Sequence, residues 1–121
     1  MNGTTENYLS VLRNEFEAGE DSFLIKLRPD LEWDKEAFSR LISAMQTYCE
    51  QRRKSEMVEC RLAQGFWFIP GFVRDWSSHQ DFPRVHSQEY YDKAYRRLDD
   101  LAWWFFMGES PYLDGKGFES L

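Results

Sequence analysis

Few residues in this chain have types and spacings that could do chemistry. His79 and His86 are its two histidines, seven positions apart across Pro83. That interval fits no metal-ligand pattern, and no Cys or Asp/Glu pair completes a ligand set. No metal is expected, and both imidazoles read as hydrogen-bonding loop residues. Cys49 and Cys60 stand eleven positions apart, wrong for CxxC chemistry and too few for a disulfide scaffold. A nucleophilic thiol needs a neighbouring base and an electropositive niche. Cys49 instead falls on an apolar helical stripe, where a small buried thiol is expected. Cys60 lies between Glu59 and Arg61 and points to no chemistry. The adjacent carboxylates Asp99 and Asp100 would diverge by about 100° on a helix. They read as a solvated face, with Asp100 paired back to Arg96, rather than as an acid–base dyad. The seven glycines are scattered, with no GxGxxG and no GK[ST] phosphate loop. No catalytic residue, cofactor site or metal ligand is therefore expected, and the chain does not read as an enzyme.

The elements that would position these side chains are mostly helices. Thr4 or Thr5 can cap a first helix in which Tyr8, Leu9, Leu12 and Phe16 recur at helical spacing, with Gly19 placed to end it. Asp34 is the expected N-cap of a second, whose stripe is Phe38, Leu41, Ile42, Met45, Tyr48 and Cys49. Arg52, Arg53 and Lys54 follow at its negative dipole end, where cations stabilise the helix and a phosphate is disfavoured. Residues 55–64 suggest a further helical segment. Ser87 caps a last helix that ends at Gly108, with Tyr91, Ala94, Leu98, Leu101 and Phe105 on one face and a Glu89–Lys93 pair on the other. Two stretches are ambiguous. Residues 22–28 alternate like a strand until Pro29, and Phe66-Trp67-Phe68-Ile69 is apolar throughout, so residues 23–27 and 66–69 could pair as a small two-stranded β element. Pro70 and Gly71 would then open a short helix carrying Phe72 and Trp76. The expected fold is mainly α, one domain built as a bundle of about four to five helices, with an irregular tail from about residue 109.

Composition narrows the function classes. The 121 residues are 42% apolar and 30% charged, enough for one core. Lys and Arg total 15 against 21 Asp and Glu, for a net charge of −6. That balance opposes nucleic-acid phosphates and anionic membrane surfaces. The longest apolar run, residues 101–107, is far short of the ~20 residues that span a bilayer, and residues 1–6 carry no secretory pattern. A cytoplasmic setting is expected.

Two features stand above this background. Between Glu15 and Glu36 lie eight acidic and three basic residues, which is −5 of the total charge. Glu15, Glu17, Glu20, Asp21, Asp30 and Glu32 cluster around the turn-forming Gly19 and Pro29. Secondly, 15 of the 21 aromatic residues follow residue 62. Trp103 and Trp104 fall off the apolar stripe of the last helix, so either the tail or the 66–69 segment covers them, or a partner does. Small, acidic and without catalytic spacing, the chain has the profile of an interaction protein that contacts a basic partner. Immunity proteins and antitoxins, which neutralise a toxin or nuclease, share that profile as a class. The expected partner surface is the acidic set together with Trp103 and Trp104. The alternatives are a small-molecule-binding domain with an aromatic pocket and, third, a small enzyme without a recognisable motif.

Overall fold

The computed structural model describes residues 3–52, 59–112 and 118–121, with side chains from Tyr8 onward. Five α-helices follow one another among the described residues: α1 (Gly3–Phe16), α2 (Phe23–Leu27), α3 (Lys35–Gln51), α4 (Cys60–Ser77) and α5 (Gln88–Met107). α1 packs mainly on α3, α4 on α5, and α3 on α5, while the short α2 touches α1, α3 and α4. The mainly helical architecture is as the spacing predicts. The stripes on α3 and α5 meet, with Tyr48 and Phe105 rings 5.9 Å apart and Cys49 facing the Leu101 carbonyl.

Local chemistry sets most boundaries. Ser22, Asp34 and Ser87 each accept a backbone N–H in the first turn of the helix they precede. Asp34 does double service: one oxygen caps Ala37 and the other accepts from Lys26 at 2.7 Å, which holds its carboxyl below the usual range. Gly108 closes α5 in the left-handed conformation. α1 takes in both Thr4 and Thr5, so neither precedes the helix as a cap. Beyond Phe16 the chain turns through Ala18 and Asp21, both with positive φ, and the Gly19 amide bonds to the Asn14 carbonyl at 2.8 Å. A Cβ at Gly19 would lie 2.0 Å from the Asn14 amide oxygen, so a larger residue there has to displace that side chain.

The core has two aromatic centres. Trp33 is buried against Phe23, Phe38 and Tyr91 with centroids about 5 Å away, and its indole N–H donates to Tyr90 Oη at 3.0 Å. Phe66 and Phe105 stack at 4.3 Å beside Tyr48. Lateral and edge contacts of this kind hold rings in fixed geometry beyond simple area burial.

The two-stranded element is absent from the described residues. Residues 23–27 form α2, and residues 66–69 lie in the middle of α4, which runs unbroken through Pro70. The reason is tertiary. Leu62, Phe66, Ile69 and Val73 repeat at intervals of four, three and four, and all four are buried. Their burial is worth about 1.5–3 kcal/mol each, which outweighs the ~3 kcal/mol that an interior proline costs a helix. For α2, Glu15 supplies what a seven-residue sequence window cannot show: its carboxylate accepts the Phe23 and Leu24 amides at 2.5 and 3.3 Å. Expectations for Arg53, Lys54 and residues 55–58 lie outside the described residues.

Candidate functional site

The expected acidic surface divides in two. Glu15 is 3% exposed and serves as a buried cap for α2, so it is not a partner-facing carboxylate. Burial pushes its carboxyl above the ordinary value, against the pull of the two amides. Glu17, Glu20, Asp21, Asp30 and Glu32 are exposed, as expected, on the turns before and after α2. Glu17 pairs with Arg61 of α4 at 2.7 Å.

The two tryptophans also differ from each other. Trp104 is half-buried, with the Phe118 ring of the tail 5.4 Å away, so the tail does cover it. Arg97 lies over the Phe118 ring and donates to the Glu119 carbonyl, fastening the tail to α5. Trp103 is 49% exposed. It borders a shallow depression between α4 and α5 together with Trp67, Pro70, Phe106 and Met107.

Trp67, in the apolar 66–69 stretch that the sequence leaves ambiguous, stands 75% exposed on α4, with Phe68 48% exposed beside it. The signal was available: on a helix whose buried row is 62, 66, 69 and 73, positions 67 and 68 must point off the row. Trp67 borders three concavities. One is the depression shared with Trp103. Another is a cleft of about 740 Å³ between the α1–α2 region and α4, lined by Phe16, Ile25, Arg28, Phe68 and Phe72 among others. A third adjoins this cleft along Phe72 and Trp76. Because Glu17 also lines the large cleft, the acidic turn and Trp103 are joined across α4 through Trp67.

The other candidates do not assemble. Cys49 is buried, donates weakly to the Leu101 carbonyl at 3.9 Å, and its thiol is pushed up to about 12 by burial. His79 accepts from the Asp81 amide at 3.2 Å, and His86 lies 3.3 Å from the Trp33 carbonyl. Neither ring hydrogen-bonds to Cys49. Asp100 accepts from Tyr112 Oη at 2.6 Å rather than pairing with Arg96, and Asp99 pairs with Arg74 at 2.7 Å. Arg52 donates to the Phe105 carbonyl at 2.8 Å and lies over that ring, so its charge is spent on the end of α5. Among the described residues, no three His, Cys, Asp or Glu side chains gather as metal ligands, and no helix is long and apolar enough to cross a membrane.

Comparison with protein-family models, with curated proteins and with solved structures finds no match to this chain.

Proposed function

We propose that this chain is an interaction protein that docks a basic protein partner, in the manner of the immunity proteins and antitoxins that neutralise a toxin or nuclease. The observation that carries the reading is the exposed Trp67, set between Phe68 and the Trp103 depression with the acidic turns alongside. A solvent-exposed tryptophan ridge is costly unless something covers it, and aromatic anchors inside a charged rim are the usual anatomy of a binding hot spot. The exposed carboxylates Glu17, Glu20, Asp21, Asp30 and Glu32 would steer a cationic surface towards that ridge. Affinity isolation with the wild-type chain, with Trp67→Ala and with the triple reversal of Glu17, Glu20 and Asp21 to Lys tests this. The expected result is a basic protein retained by wild type, released by salt and lost with Trp67→Ala. Identical retention by all three chains, or a partner with an acidic surface, would refute it.

A second reading, a small-molecule-binding domain with an aromatic pocket, is favoured by the large cleft alone. Its volume lies within the roughly 300–1,000 Å³ typical of ligand sites.

A further inference from the structure

The cleft between α2 and α4 has a chemical character that narrows what it could hold. Its walls are aliphatic and aromatic: the Phe16 ring lies over Gly65, where a Cβ would come within 2.5 Å of it, and Leu24, Ile25, Trp67 and Phe68 continue the surface. The charged groups on its lining are Glu17, Arg61 and Arg28. Glu17 and Arg61 pair at one end and cancel. Arg28 follows the last turn of α2, with its guanidinium 6.0 Å from the Trp76 ring, and borders both the cleft and the adjoining depression. Asp75 lines that depression too, yet among the described residues no carboxylate forms an ion pair with Arg28. The cleft therefore carries one net positive charge on a chain whose total is −6.

An apolar trough with a single unpaired guanidinium at its mouth suits a molecule with one anionic oxygen head and one apolar body. We propose that this cleft binds a free single-chain aliphatic carboxylate, its head on Arg28 and its chain along Phe16, Ile25, Trp67 and Phe68. A guanidinium offers two parallel N–H donors that match a carboxylate. A bilayer is the poorer occupant, because the site is a trough between two helices and the acidic turns on either side of α2 repel an anionic surface. The proposal rests on the second reading above and names its ligand.

Decanoate, kept below its micelle concentration, is the probe, followed by tryptophan fluorescence and by titration calorimetry. Decan-1-ol and decyltrimethylammonium share its chain and differ in the head. The expected result is saturable one-to-one binding with Kd below about 1 mM. Octanoate should bind about tenfold more weakly, since each buried methylene is worth up to about fourfold. Arg28→Gln should weaken decanoate about fivefold, the effect of one partly exposed ion pair, and leave decanol unchanged. Ile25→Glu, at a position already partly exposed, should abolish decanoate binding with the helical circular dichroism retained. Val85→Ala, at an exposed position outside the cleft, should bind as wild type does. If decanol or decyltrimethylammonium binds as tightly as decanoate and Arg28→Gln changes nothing, carboxylate recognition is overturned while an aromatic pocket stands. If none of the three probes saturates, both the proposal and the second reading fail.

Discussion

Glu15 offers the sharpest test of how this fold is held. Its carboxylate is 3% exposed and accepts the amides of Phe23 and Leu24, the first two residues of α2, at 2.5 and 3.3 Å. A five-residue helix cannot sustain itself in water, because nucleation is not repaid over so short a length. α2 thus depends on Ser22, on Glu15 and on burial of Phe23, Leu24 and Leu27. Removing the carboxylate in Glu15→Ala strands two buried donors. Hydrogen bonds to a charged group contribute about 1.5–3 kcal/mol each, and a stranded buried donor costs a similar amount. Against this stands relief of a buried charge, so the net loss should be about 2–4 kcal/mol. Glu15→Gln keeps one acceptor and turns an N–H₂ towards the second amide, for about 1–2 kcal/mol.

The pH dependence has a definite sign. Burial, the largest influence, raises the Glu15 pKa in the folded state. The folded chain therefore binds this proton more tightly than the unfolded chain, and the contribution is complete below the unfolded value. It is lost as pH rises through the folded value. The stability difference between wild type and Glu15→Gln should consequently shrink from pH 4 towards neutrality, other titrations cancelling in the difference. Urea denaturation at several pH values measures it, and hydrogen exchange at the Phe23 and Leu24 amides should accelerate in both variants. A loss under about half a kcal/mol for Glu15→Ala, with unchanged exchange at those amides, would refute the capping role.

Other outcomes follow from single packed sites. Leu98→Ala, at a fully buried position on α5, should cost about 2–5 kcal/mol by chemical denaturation. Gly65→Ala places a methyl against the Phe16 ring; the overpacking of about 1–3 kcal/mol should exceed the ~1 kcal/mol gained in helix propensity, so thermal stability falls. Cys60, exposed, should react with iodoacetamide at neutral pH, whereas Cys49, buried with its thiol pushed up to about 12, should react only on unfolding. In single-tryptophan variants, acrylamide should quench Trp67 strongly, Trp103 less, and Trp33 hardly at all, following their exposures.

Much of the fold was readable because periodicity and caps agreed. On α3 and α5 the apolar rows, Asp34, Ser87 and Gly108 all pointed to the same boundaries, and local signals of this kind are reliable when they coincide. The misreadings occurred where a long-range contact decided the local state. Alternation at Phe23, Ile25 and Leu27 looks like a strand, and a carboxylate eight residues upstream, together with the Ser22 cap and the burial of Phe23, Leu24 and Leu27, makes that stretch a helix. Pro70 looks like a helix start, and only the buried row from Leu62 to Val73 carries α4 through it.

The site was less readable than the fold for a related reason. Burial is a property of the assembled surface, so residue type alone cannot separate a structural carboxylate from a steering one. Glu15 and Glu17 are two positions apart in one acidic cluster. One is enclosed under α2 and the other faces solvent with Arg61. Likewise Trp103 and Trp104 are neighbours in sequence, but successive helical side chains diverge by about 100°. Trp104 turns towards Phe118 of the tail and Trp103 towards the depression it shares with Trp67. The same divergence exposes Trp67 between buried Phe66 and buried Ile69. An aromatic run on a helix must therefore present some rings to solvent while it buries others. Those rings are exposed without any residue being added for the purpose, and the buried row of α4 carries the helix through the proline that reads as a helix start, which keeps Trp67 on the helix surface.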